Sequence, residues 1–281
     1  MGFLAATLTL FLLSGQEAEG RAASQRTPEE LAAYKKKLEE ALAPGFDAED
    51  ARRVILRSRD HVDPSVIALL DAKALRGADP LKRDQAVDAL GYMRHPDALE
   101  TLHGMLKRDG KTLQESPPSY ANLIRAVARH GKTSSIPLLV EDLFQSPDRS
   151  VIEARIMGLA NIRASESVGE LIQMMRSGPP PRVSELGLEL RTALVYLTGV
   201  DKGTDQTLWI NWYGGARDTL VIAPEPPEEL PPELRRCWTS FWGPERQKAR
   251  GPARPVGDRK RPDPEKPKQK RVKGEKEQKD E

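Results

Sequence analysis

The most constraining feature of this chain is a short amphipathic unit that cannot stand alone and that repeats. Residues 81–107, LKRDQAVDALGYMRHPDALETLHGMLK, read as two helices joined by a tight turn. Ala86, Ala89 and Leu90 share a face of the first, and Leu99, Leu102, Met105 and Leu106 share a face of the second. These are the i, i+3, i+4, i+7 positions of a helix that buries one stripe. Gly91 falls where a left-handed residue would end the first helix. Pro96 opens the second, where a missing N–H costs nothing. Two helices this short cannot bury their apolar faces against each other alone, so the pair reads as one unit of a stack.

The unit recurs. Pro64, Ile67 and Leu70 lie over Pro96, Leu99 and Leu102 about 32 residues upstream. Downstream, Ala126, Ile136 and Leu139 lie over Ala89, Leu99 and Leu102 at an offset of about 37, and Val168 and Leu171 follow about 32 residues further on. In the first unit Ser58 stands over Leu90. A period of roughly 30–40 residues predicts a helical solenoid rather than a bundle. On these residues the chain resembles HEAT-repeat proteins, especially the short PBS-lyase-type variety with an A-x-x-A-L-G turn followed by P-x-A-L-x-x-L. The resemblance implies an all-α, right-handed α-solenoid of HEAT-like helical hairpins with terminal capping helices.

Composition agrees. Aromatic residues make up 5% of the 281 positions and charged residues 31%, which suits stacked helices better than a β-sandwich. The net charge of +2 hides an asymmetry: residues 244–281 hold 14 Lys/Arg against 8 Asp/Glu, so the rest carries about −4. That last segment is rich in proline and offers little to bury, so a disordered basic tail over 244–281 is expected, either a solubilising extension or a weak electrostatic tether to a polyanion. Residues 3–13 form an apolar run of signal-peptide length, followed by Ala18, Glu19 and Gly20 as a small-residue exit. A signal peptide over 1–20 is therefore expected, with export to the periplasm or medium and no membrane span after cleavage; the alternative is a frayed apolar helix. The single cysteine, Cys237, excludes an intramolecular disulfide and reads as a small hydrophobe.

Along the chain, Thr27, Pro28 and Glu30 have the spacing of a capping box that starts an N-terminal capping helix over 27–45. The repeat domain follows over 46–220. Residues 178–181, GPPP, break the helical pattern, and one further helix is expected over 184–197. A Pro-rich linker and a short aromatic helix occupy 221–243, with Trp238, Phe241 and Trp242 able to dock on the solenoid.

Residues 193–213 resemble the closing motif of secreted HEAT-repeat proteins from planctomycete-like bacteria, A-L-x-x-L-T-G-x-D-F-G-x-D-x-x-x-W-x-x-W-W. Leu197, Thr198, Gly199, Asp201, Gly203, Asp205, Trp209 and Trp212 fall in place, while Lys202 takes the Phe position and Tyr213 the last Trp position. Read physically, Gly199 can end a helix, Gly203 can turn the loop, and Asp205 can cap the next helix. Trp209 and Trp212 share a helical face and either cover the last repeat's apolar edge or form an aromatic ligand platform.

Catalytic chemistry finds little support. None of His61, His95, His103 and His130 precedes a Glu, no cysteine lies near them, and they read as surface or turn residues rather than ligands. No phosphate loop or nucleophile elbow occurs. No cofactor and no metal are expected. Arg52, Arg53, Arg83, Arg125, Arg129 and Arg155 recur on the first helices and are candidate polyanion contacts; interleaved acids favour a solvated charged face. The expected function is a non-enzymatic, monomeric, exported scaffold that binds a protein or peptide on a concave surface lined by second helices. The alternative is a polyanion-binding protein that uses the arginine ridge and the tail.

Overall fold

A computed structural model describes residues 27–141, 144, 146 and 148–243. The expected signal peptide and basic tail lie outside them. Among the described residues there are thirteen α-helices and no strand. The fold is an all-α solenoid. After α1 (Pro28–Leu42), five first helices stack in order: α2 (Ala48–Arg57), α4 (Pro80–Tyr92), α6 (Pro117–Arg129), α8 (Arg149–Asn161) and α11 (Gly187–Thr198). The second helices are α3 (Pro64–Leu70), α5 (Pro96–Leu113), α7 (Ile136–Val140), α9 (Ser165–Ser177) and α12 (Gln206–Ala216). A short α10 (Pro180–Glu185) lies between α9 and α11, and α13 (Pro232–Trp242) follows a proline-rich connector.

Local chemistry starts most of these helices. Thr27 Oγ1 accepts from the Glu30 N–H, and the Glu30 carboxylate accepts from the Thr27 N–H. Asp47, Asp63, Asp79, Asp148 and Asp205 cap later helices through their side-chain oxygens. Pro64 and Pro80 follow such caps in the first turn, and Pro96 follows His95, whose ring Nδ1 accepts from the Asp97 N–H. The stripes then bury as the periodicity predicts: Ala86, Ala89, Leu90, Leu102, Met105, Ile136, Leu139, Val168 and Leu171 are all core.

Two local expectations are corrected. Gly91 does not end α4 in a left-handed conformation, since the helix runs on to Tyr92. Its small size serves packing instead: a Cβ there would lie 2.9 Å from both Cα and Cβ of Ala126 on α6. Gly158 and Ala128 repeat this approach between α8 and α6, again at 2.9 Å. The first helices therefore meet through small residues, almost backbone to backbone. The second correction concerns residues 184–197, which are not one helix. Leu186, at φ −100° and ψ 12°, separates α10 from α11.

Gly91 gives a prediction whose sign is informative. On helix propensity alone, replacing a helical glycine stabilises by up to about 1 kcal/mol, and by less in the last turn, where Gly91 lies. Here Gly91→Val is expected to destabilise by about 1–3 kcal/mol, because the α4–α6 contact has no room. A shift of the urea midpoint measures it, and a stabilised variant would show that the two helices can separate without loss.

Candidate functional site

The loop between α11 and α12 is a closed circuit of hydrogen bonds. Leu197 is core at the end of α11. Thr198 Oγ1 donates to the Leu194 carbonyl and accepts from the Val200 N–H. Gly199 ends the helix at φ 73°, and Gly203 turns the loop at φ 69°. The Asp201 carboxylate accepts from the Gly203 N–H and from Arg191, whose guanidinium holds its pKa below the usual carboxylate range. Asp205 accepts from the Thr207 N–H as the cap of α12. Trp209 is 0% exposed and donates its ring N–H to the Gly203 carbonyl at 2.8 Å. Trp212 is only half-buried and meets Trp209 edge-on at 5.7 Å. Lys202 is half-exposed, and Tyr213 places its hydroxyl against α9 beside Gly169. The Trp209 indole is thus sealed, with its N–H already bonded.

The candidate arginines do not share one role. Arg52 and Arg53 are exposed on α2 and pair within their own helix with Glu49 and Asp50. Arg83 donates to the Gly77 carbonyl. Arg129 pairs with Asp88 across α6 and α4 at 2.5 Å and lies over the Tyr92 ring. Arg155 is buried and donates to the Leu139 and Glu141 carbonyls and to the Tyr120 hydroxyl. Arg125 is covered by Phe241, 4.6 Å from its ring centre. Apart from Arg52 and Arg53, these cations are used inside the stack or beneath α13 rather than presented as a ridge.

That last contact belongs to a larger one. Helix α13 lies on the first-helix layer, in contact with α6 and α11. Leu234 is fully buried, and Trp238 stacks on Tyr196 of α11 at 3.6 Å and 14°. Arg191 bridges Asp201 and Glu233, at 2.6 and 2.7 Å. Cys237 shares a hydrogen bond with Thr192 and feels the Glu189 and Glu153 carboxylates; burial pushes its thiol pKa up. Nothing in this environment activates the thiol as a nucleophile.

The histidines were expected at the surface or in turns. His130 does lie in the turn that ends α6, but it is buried there. It is 9% exposed and donates Nε2–H to the Leu90 carbonyl at the end of α4. It belongs to a set of side chains that satisfy the orphan carbonyls of neighbouring helix ends. Lys82 reaches Ala43, Arg94 reaches Arg129, Asn161 reaches Ala128, and Arg163 reaches Tyr196 and Leu197. A signal was present: Arg94 and Arg163 occupy one register of the repeat, and both reach forward to the next first helix. The other three histidines have structural partners too. His61 stacks on Tyr34, His95 accepts from the Asp97 N–H, and His103 bonds Ser135. Among the described residues no cluster of His, Cys, Asp or Glu could hold a metal ion, and no helix is long and apolar enough to cross a membrane.

Burial holds His130 neutral, with its pKa pushed down from 6.5 to about 4. The unfolded chain then binds the extra proton between these values, so stability falls as pH drops through that window. The expected loss is about 2 kcal/mol at pH 5, relative to neutral pH. His130→Gln removes the titration and should flatten the curve. Urea midpoints at pH 7 and pH 5 test this, because the comparison cancels the carboxylates shared by both proteins. Equal pH slopes would overturn it.

Gly91 and most of the α4–α5 hairpin fall in one stretch. Residues 82–108 match the family model of the PBS lyase HEAT-like repeat. This segment is similar to a HEAT-like repeat. No curated protein matches the chain. The HEAT-like unit assigns the architecture: hairpins whose layers present extended helical faces, with α13 already seated on one of them. A helical repeat of this kind typically serves as a non-catalytic scaffold for protein interaction.

Proposed function

We propose that this chain is an exported, non-enzymatic HEAT-like scaffold that binds a protein or peptide on the face of its first helices. The observation that carries the reading is α13, an amphipathic helix held on that face by an aromatic stack, a buried leucine and an ion pair. A surface that accepts one helix in this way has the shape and chemistry of a helix-in-groove receptor. The proposal departs from the expected second-helix surface. The first helices approach more closely, through Gly91, Ala126, Ala128 and Gly158, and a stack curves toward its closer layer. The polyanion alternative loses ground because Arg83, Arg125, Arg129 and Arg155 are engaged internally.

Affinity capture from the cell envelope, with the chain lacking residues 1–20 as bait, tests the scaffold reading. Arg53→Glu, on a first helix, should weaken a captured partner, and Lys107→Glu, on a second helix, should not. The reverse pattern would return the site to the second-helix face. N-terminal sequencing of the exported protein should begin near Arg21; an intact Met1 in a cytosolic pool would overturn export.

A further inference from the structure

We infer that the surface beneath α13 is an exchangeable helix-binding site, whose best ligand is an amphipathic helix with a basic residue where α13 carries Cys237. The inference rests on the scaffold reading and names its site and the chemistry of its ligand.

The apolar half of the site fits α13 well. Leu234, Trp238 and Phe241 fall at i, i+4 and i+7, the spacing of anchors on one helical face. Each has a defined seat: the buried pocket of Leu234, the Tyr196 ring, and the Arg125 guanidinium. Glu233, just before the first anchor, pairs with Arg191.

The polar floor fits α13 badly. Glu189 is 6% exposed; Arg149 takes one of its oxygens, and Oε2 is buried without a hydrogen-bond partner. Arg125 Nε is buried without one as well. Glu153 lies close enough to Glu189 to feel its charge, and burial together with that neighbour raises its pKa. Beside these carboxylates α13 places a thiol, a weak donor that burial, and then Glu189 and Glu153, hold toward the neutral form. Buried polar atoms without partners disfavour the docked state, and Glu189 Oε2, which Arg149 leaves unbonded, calls for a further donor. A Lys or Arg at the Cys237 position would supply that donor in charged form. The ligand class is therefore a helix carrying acidic, aliphatic, basic, aromatic and aromatic side chains in the order of Glu233, Leu234, Cys237, Trp238 and Phe241.

The connector makes exchange feasible. Residues 217–231 contain Pro224, Pro226, Pro227 and Pro231 and form no helix, so α13 can leave without unfolding the stack. The main anchor upstream is the Arg163 bond to the Ala223 carbonyl. A tethered helix competes at an effective concentration on the order of millimolar, so a better-matched helix can displace it.

Cys237, the sole cysteine of the chain, reports the exchange. Thiol modification of the full-length wild-type protein is followed while a synthetic peptide is added, at up to about millimolar concentration. The peptide has the sequence of residues 229–243 with lysine in place of the cysteine. Displacement should expose Cys237 and speed its modification at least tenfold with saturation, on the order of 1.4 kcal/mol of opening. A scrambled peptide should have no effect. In a Leu234→Ala/Trp238→Ala double variant, checked for helicity and melting, the labelled lysine peptide should bind at least tenfold more tightly than to wild type. It should also bind more tightly than an otherwise identical serine peptide. No acceleration in wild type overturns the exchange, and equal binding of the lysine and serine peptides overturns the polar-floor argument. None of these measurements needs a natural partner, so failure of the envelope capture and failure here are separate results.

Discussion

Trp209→Ala is expected to destabilise the stack by about 3–5 kcal/mol, the range for removing a fully buried large aromatic side chain. Three losses coincide. The ring is wholly buried between α12 and the rest of the last repeat, so its removal leaves a cavity. Its N–H is bonded to the Gly203 carbonyl, which then loses that donor in a loop already held at positive φ. Trp212 loses the ring it packs against edge-on. Because a repeat array couples each unit to its neighbour, the loss should lower the cooperativity of unfolding as well as its midpoint. Trp209→Phe, which restores much of the volume without the donor, should recover more than half of the effect. Urea denaturation followed by circular dichroism measures both variants. A Trp209→Ala protein that unfolds like the parent but loses a small-molecule ligand would favour the platform reading over the cap.

The sequence and the structure agree where the determining forces are local, and diverge where they are not. Caps such as Thr27 with Glu30 act within three residues of chain, so their spacing in sequence is their geometry. Stripes such as Leu99, Leu102, Met105 and Leu106 are legible because a helix fixes which residues share a face. Gly91 was misread because two forces use the same residue type. Glycine ends helices through its φ freedom and lets helices meet through its missing side chain, and only the position of α6 decides between them. The burial of His130 in its turn was illegible for a related reason. Its partner, the Leu90 carbonyl, lies 40 residues away, and the angle between repeats that joins them is not written in either helix's pattern. The seat of α13 was the least legible feature. Its apolar spacing announces a buried face, but the layer that receives it depends on Tyr196, Arg191 and Arg125, which come from two different first helices.

Arg155 shows the same limit most sharply, and it carries the second large prediction. Read along the sequence, it is one more cation on a first helix of mixed charge. In the fold it is 3% exposed and holds the end of α7, in the preceding hairpin, in place. Its guanidinium donates to Leu139 at 2.8 Å, Glu141 at 2.5 Å and the Tyr120 hydroxyl at 2.9 Å. The Leu139 and Glu141 carbonyls belong to the end of α7, which spans only Ile136–Val140 and cannot satisfy its own C-terminal groups. Arg155 thus replaces the turns that α7 lacks, and it ties them to α6 through Tyr120. Arg155→Leu keeps apolar bulk and removes every donor, leaving the buried Leu139 carbonyl and Tyr120 hydroxyl and the part-exposed Glu141 carbonyl without it. At about 1–3 kcal/mol for each buried group left unsatisfied, and with partial relaxation, the expected loss is about 3–5 kcal/mol. Arg155→Lys should recover only a minor part, since one ammonium cannot span three acceptors set by a planar fork. Amide hydrogen exchange should show the damage concentrated in residues 133–141 and at the α6–α8 contact before global unfolding. If Arg155→Leu melts within 1 °C of the parent, α7 finds its partners elsewhere and the role assigned to this guanidinium is wrong.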